Sequence, residues 1–109
     1  MKDRRKSQRV TFINKIKYGT TYPKYPGSSI NLSLDGIGIK CRQTFAPGTQ
    51  IIIEIYSDQE TINVEGIVIW TDDFAVVPSM GVRFANRYEK LENIYYDNLN
   101  QSKKNEIPI

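Results

Sequence analysis

This chain predicts a mainly β fold, a six-stranded antiparallel β-barrel of split-barrel type with a C-terminal α-helix. Three observations carry the prediction. Apolar and polar residues alternate in six short segments between residues 10 and 86. Glycine- and proline-containing turns separate those segments at close intervals. Beyond residue 86 the apolar spacing changes from two to three and four, the period of a helix with one apolar face. At 109 residues the chain has the size of one domain with one core.

The elements follow in order. Residues 1–9 are polar and basic and form an arm expected to be mobile until a ligand orders it. Val10, Phe12, Ile16 and Tyr18 keep even spacing, so residues 10–18 read as a strand. Pro23, Pro26 and Gly27 make residues 19–28 a connection. Ile30 and Leu32 open a short second strand that Asp35-Gly36, a strong hairpin dipeptide, ends. Ile37, Ile39 and Cys41 alternate with Gly38, Lys40 and Arg42 in a third, half-buried strand, with Cys41 as a small core residue. Pro47-Gly48 marks a turn. Ile51, Ile53 and Ile55 then share one face of a fourth strand. After a loop at residues 57–60, residues 61–71 form a long fifth strand in which Gly66 predicts a bulge or bend, and Trp70 packs in the barrel or at its rim, with base stacking as the lesser alternative. A loop at 72–78 leads to the sixth strand, with Met80, Val82 and Phe84 on one face and Arg83 on the other as a surface ion-pair residue.

Tyr88, Leu91, Ile94, Tyr95 and Leu99 place an apolar face, interrupted by Asn98, on a helix over residues 87–101 that plugs or covers an open barrel end. Tyr96 is the exposed aromatic of that helix, and residues 102–109 read as a tail. The chain is thus one domain over 1–109, with arm 1–9, barrel 10–86, helix 87–101 and tail 102–109.

The composition excludes most catalytic chemistries. There is no histidine, so neither a Ser-His-Asp nor a Cys-His arrangement can form, nor a His-containing zinc site. The single cysteine cannot build a thiolate metal site or an internal disulfide, and a reducing cytoplasm is the expected compartment. No P-loop and no glycine-rich dinucleotide motif follows a strand-like run. A binding module is expected rather than an enzyme, with no cofactor. No apolar run approaches the roughly 20 residues that span a bilayer, so no membrane insertion is expected. The net charge of +3 is uneven: residues 1–18 carry seven cations against Asp3, a balance of +6, leaving −3 for the remainder. A concentrated basic arm points to a local anionic partner.

Two segments supply candidate binding residues. Arg4, Arg5 and Arg9 lie in the arm. A guanidinium stays charged and offers a planar fork of donors to phosphate oxygens or to the O6 and N7 edge of guanine. In an extended segment Arg5 and Arg9 stand about 13 Å apart on one side. By themselves these residues also read as a solvated basic arm. The second segment is Asn31-x-Ser33-x-x-Gly36. On a strand, Asn31 and Ser33 share one face while Leu32 and Leu34 point to the core. Gly36 permits a positive φ or a close approach of a ligand to the backbone. This string, too, reads alone as a strand ending in a hairpin turn.

Arg5-x-x-x-Arg9 followed by Asn31-x-Ser33-x-x-Gly36 on a barrel-like chain resembles the PilZ domain family, and Gly66-Ile67-Val68-Ile69-Trp70 and Met80-Gly81-Val82-Arg83-Phe84 look like its later strands. The resemblance covers roughly residues 4–90. It implies a bacterial, cytoplasmic receptor for the second messenger cyclic di-GMP, a stand-alone effector or adaptor whose arm orders on binding and which acts on an unidentified downstream protein. By residue it implies that Arg5 and Arg9 hold phosphates and guanine edges, that Asn31 bonds a guanine, that Ser33 bonds the ligand nearby and that Gly36 keeps the wall open. Asn31 stands where the family often has Asp, and so lacks its charge. Arg4 is implied to accompany two stacked ligands instead of one. The alternative is a PilZ-fold protein-interaction module in pilus or flagellar machinery that binds no nucleotide. A small barrel for single-stranded nucleic acid is a third reading. Its basic groove is missing, because the positive charge sits on the arm, so no DNA or RNA partner is expected.

Overall fold

The computed structural model describes residues 8–58 and 60–105. Seven strands and one helix follow in the order β1 (Val10–Thr11), β2 (Lys15–Gly19), β3 (Tyr25–Leu32), β4 (Gly36–Cys41), β5 (Gln50–Ser57), β6 (Glu60–Asp72), β7 (Ser79–Phe84) and α1 (Glu89–Asn105). Six strands close into an antiparallel barrel in the order β3-β2-β5-β6-β7-β4, with β4 returning to pair with β3, and β1 adds itself to the far end of β3. Every pairing is antiparallel.

The interior is filled by the alternating residues. Ile16, Tyr18, Leu32, Ile37, Ile39, Cys41, Ile51, Ile53, Ile55, Ile62, Val64, Val68, Met80 and Val82 all lie buried in one cluster. β-Branched side chains suit this role because their restricted rotamers fit a pleated, half-buried surface. Leu91 and Tyr95 of α1 join the same cluster together with Val10 and Phe12, so the helix covers the barrel where β1 lies. Asn98, the polar interruption on that face, donates its side-chain amide to the Ile94 carbonyl one turn back (3.0 Å) and so costs no unsatisfied group.

Several elements depart from the sequence expectation. The strand expected over 10–18 is broken into β1 and β2. Ser29 is buried at the break: its hydroxyl donates to the Phe12 carbonyl (2.6 Å) and accepts from the Asn14 amide (2.8 Å). Residues 25–28, expected in a connection, belong to β3. Pro26 pairs with Lys17 of β2, while the β3–β4 ladder begins only at Gly27. Proline is tolerated there because Pro26 has a ladder partner on one side only. The β3–β4 turn lies one residue earlier than the Asp-Gly dipeptide suggests. Ser33 and Gly36 are its first and fourth residues, linked from the Ser33 amide to the Gly36 carbonyl (2.9 Å). Those are favoured residues for a turn built without a left-handed residue. Among the described residues only Gly48 has a positive φ, +95°, at the expected Pro47-Gly48 turn. The helix runs over 89–105 instead of 87–101.

At the opposite end of the barrel from the β3–β4 turn, Tyr18 is fully buried. Its hydroxyl donates to the Gln43 carbonyl (2.5 Å) and accepts from the Gln43 amide (3.2 Å). Burial, and secondarily Cys41, push the Tyr18 hydroxyl well above its ordinary value of 10.0. Burial likewise raises the Cys41 thiol above 9.0, against a partial lowering by Tyr18. Both groups therefore hold their protons more tightly folded than unfolded. Stability is fully present below about pH 8 and falls as pH rises through 9 and 10, where the unfolded chain ionises first. Urea midpoints measured from pH 7 to 11 should show this decline. In Cys41→Ala the early part of the decline, beginning near pH 9, should be absent.

Candidate functional site

The residues of the Asn31-x-Ser33-x-x-Gly36 string sit on the outer wall of the barrel, where β3 turns into β4. Asn31 points outward because of a bulge. In β3, Gly27 pairs with inward Ile16 and Ser29 is buried, so unbroken alternation would turn residue 31 inward. The ladder instead skips Ile30: Ser29 pairs with Ile39 and Asn31 with Gly38. The extra residue inverts the pattern, sending Leu32 inward and Asn31 outward.

A second bulge does the same on β6. Val64 and Val68 face the core, and Val68 pairs with Val82, but the next pair is Trp70 with Gly81, skipping Ile69. Without that bulge Trp70 would point into the barrel. The bulge expected at Gly66 thus lies three residues later, and Trp70 is an outer-wall residue instead of a core or rim one. Gly66 serves close packing: a Cβ there would stand 2.6 Å from a Val82 methyl.

The two inversions bring four residues into one cross-strand row: Asn31 of β3, Gly38 of β4, Gly81 of β7 and Trp70 of β6. Neighbouring strands lie about 4.8 Å apart, so the row spans roughly 14 Å. The two central positions have no side chain. A Cβ on Gly38 would lie 2.7 Å from Asn31 Oδ1, and one on Gly81 would collide with the Trp70 indole. The two glycines are therefore a buried floor, Gly38 covered by the Asn31 amide and Gly81 by the Trp70 indole.

Three other expected site residues, Ser33, Gly36 and Arg9, border this floor. Ser33 lies on the Asn31 side but spends its hydroxyl on the turn, accepting from the Asp35 (3.2 Å) and Gly36 (3.1 Å) amides. Gly36 lacks the positive φ that the Asp-Gly dipeptide suggested, and its hydrogen is needed because β7 passes close by at the Val82 carbonyl. The Phe84 amide donates to the Asp35 carbonyl (2.8 Å), tying the turn to the end of β7. Arg9 is half-buried and immediately precedes Val10, the partner of Leu32; one further step of register places it across from Ser33. Arg4 and Arg5 lie outside the described residues. The sequence reading missed Gly38 and Gly81. The Gly-Ile-Gly spacing at 36–38 and the Met-Gly-Val triplet at 80–82 were the available signals. Among the described residues no group of three or more His, Cys, Asp or Glu side chains is placed to hold a metal ion. Among them, too, no helix is long and apolar enough to cross a membrane.

A family model described as "PilZ domain" matches residues 3–97. Among solved structures, the PilZ domain with c-di-GMP of YcgR from Escherichia coli is similar at a TM-score of 0.76 and 16% identity, covering 96% of this chain and 100% of that one. The Bacillus subtilis inhibitor of motility, MotI/DgrA, is similar at a TM-score of 0.77 and 14% identity. The match covers 96% of this chain and 54% of MotI, so this chain spans about half of that protein's length. None of the curated proteins compared matches the chain.

The glycine floor makes a direct prediction. Gly81→Ala forces the indole off the wall at a cost of about 1–3 kcal/mol. Because Trp70 is the sole tryptophan, the variant's emission spectrum should shift along with a lowered urea midpoint. In Gly38→Ala only the Asn31 amide must move, and the emission should stay as in the parent chain.

Proposed function

This chain belongs to the PilZ domain family, and we propose that it is a receptor for the bacterial second messenger cyclic di-GMP. The observation that supports the reading most is the outer-wall floor of Gly38 and Gly81, flanked by Asn31 and approached by Arg9. A flat purine can stack against the Trp70 indole that covers Gly81. The Asn31 amide then offers both a donor and an acceptor to its edge. Arg9, and Arg5 four residues before it, supply guanidinium forks for phosphate oxygens or the guanine O6 and N7 positions. Ser33 holds the turn whose backbone borders the ligand, and Gly36 keeps a side chain away from that border. Arg4 decides whether one ligand or two stacked ligands bind.

The domain acts as an effector without catalysis of its own, in the cytoplasm of a bacterium. The basic arm closes over the dianionic ligand and orders, which changes the surface offered to a downstream protein. The YcgR domain of similar fold was solved with c-di-GMP, and that likeness supports the same ligand class here. The rival reading, a protein-interaction module that binds no nucleotide, draws on the β6–β7 loop, where Phe74 and Val76 stand fully exposed.

Calorimetric titration with cyclic di-GMP separates the two. Saturable heat at micromolar ligand, reduced at least tenfold in affinity by Arg9→Ala, is expected, since a hydrogen bond to a charged group contributes about 1.5–3 kcal/mol. Absence of heat with the unmodified chain overturns the receptor reading in favour of the rival. The same titration gives the stoichiometry, which should fall from two to one in Arg4→Ala. Amide exchange in residues 8–12 should slow on binding; identical exchange with and without ligand removes the closing arm from the mechanism.

A further inference from the structure

We propose that Arg83 is a ligand-binding residue that closes the glycine floor on its β7 side, opposite Arg9. The inference rests on the cyclic di-GMP reading and extends its site beyond the arm and the β3–β4 turn.

Four observations lead to Arg83. It lies on β7 between inward-facing Val82 and half-buried Phe84, and its side chain is exposed. Alternation places it on the same outer face as Gly81, two residues back along β7 and therefore about 7 Å away. Its direct cross-strand neighbour on β4 is Gly36, which has no side chain to occupy the guanidinium. The other neighbour is Ile67 of β6, which offers no hydrogen-bonding side chain either. The ion pairs of this region, Arg87 with Glu92 and Lys90 with Glu60, do not involve it. The surface ion pair expected for Arg83 from the sequence is thus not found among the described residues.

The register then completes a second row beside the first. Gly36 pairs with Arg83, Ser33 bonds to Gly36 across the turn, and one step of register beyond Val10–Leu32 sets Arg9 across from Ser33, one step along the strands from the row of Asn31, Gly38, Gly81 and Trp70. A cation stands at each end of this second row, on the order of 14 Å apart along the wall, with only a turn serine and a glycine between them. Each guanidinium can lean toward the neighbouring row, where the Asn31 amide and the Trp70 indole cover the glycines. A planar fork of donors without a carboxylate partner matches a ligand edge that presents two acceptors side by side. In cyclic di-GMP such edges are the phosphate oxygens and the guanine O6/N7 pair.

The test is calorimetric titration with cyclic di-GMP of the unmodified chain, Arg83→Ala, Arg83→Lys and Arg42→Ala. Arg42 is an exposed cation just beyond the other end of β4 and reports the effect of charge alone. Arg83→Ala should bind about tenfold to a hundredfold more weakly, Arg83→Lys nearly as weakly because the fork is lost, and Arg42→Ala as the parent does. Melting temperatures of all variants should match, since the replaced side chains are exposed. Parental affinity in Arg83→Ala or in Arg83→Lys overturns the assignment, as does an equal loss in Arg42→Ala. If the unmodified chain itself gives no heat, the receptor reading fails, a result distinct from a binding parent with an unaffected Arg83→Ala.

Discussion

Two single-residue interruptions of the hydrogen-bond ladder set the character of this molecule's outer wall. A strand alternates its side chains strictly, so one extra residue exchanges inside for outside along everything that follows. On β3 the extra residue is Ile30, and on β6 it is Ile69. The first releases Asn31 from the interior and the second releases Trp70. Barrel closure then sets them at opposite ends of one row, with Gly38 and Gly81 between. Removing either bulge would drive a polar amide or the largest side chain of the protein into a packed interior. The glycines and the bulges are thus one device: the bulges turn the large groups outward, and the glycines give them somewhere to lie.

That device depends on β3. This strand pairs with β1, β2 and β4, so barrel closure, attachment of the N-terminal segment and the turn to β4 all pass through eight residues. Ser29 is the polar pin of the arrangement. Its hydroxyl satisfies both the carbonyl of Phe12 and the amide of Asn14 where β1 gives way to β2, at a place too buried for water to do so. Val10 and Phe12 are held against α1 by the same junction, so the position of Arg9 is set from the core outward.

The interior is committed to packing, with a continuous apolar cluster from Ile16 to Val82 and Tyr18 bonded at one end. Function is left to the wall and the turns, on a rigid scaffold whose loops and termini supply the variable part. A site on the wall of a closed barrel costs little to preorganise.

Much of this was legible in the chain. Alternation in Ile37 to Cys41, Ile51 to Ile55 and Met80 to Phe84 identified strands and their buried faces, because period-two patterning follows directly from strand geometry. The spacing of Tyr88, Leu91 and Tyr95 identified the helix and its core face. The pairing of two short motifs pointed to the family. What the chain alone did not disclose depends on partners distant in sequence. Pro26 reads as a breaker until the ladder shows that one of its sides has no partner. Gly36 reads as a hairpin glycine until β7 is seen crossing it. Trp70 and Arg83 read as core and surface residues until a bulge and a register align them with Asn31 and Arg9. Local pattern determines what each segment becomes; which side chains share a surface is decided by register between strands, and register is set only when the barrel closes.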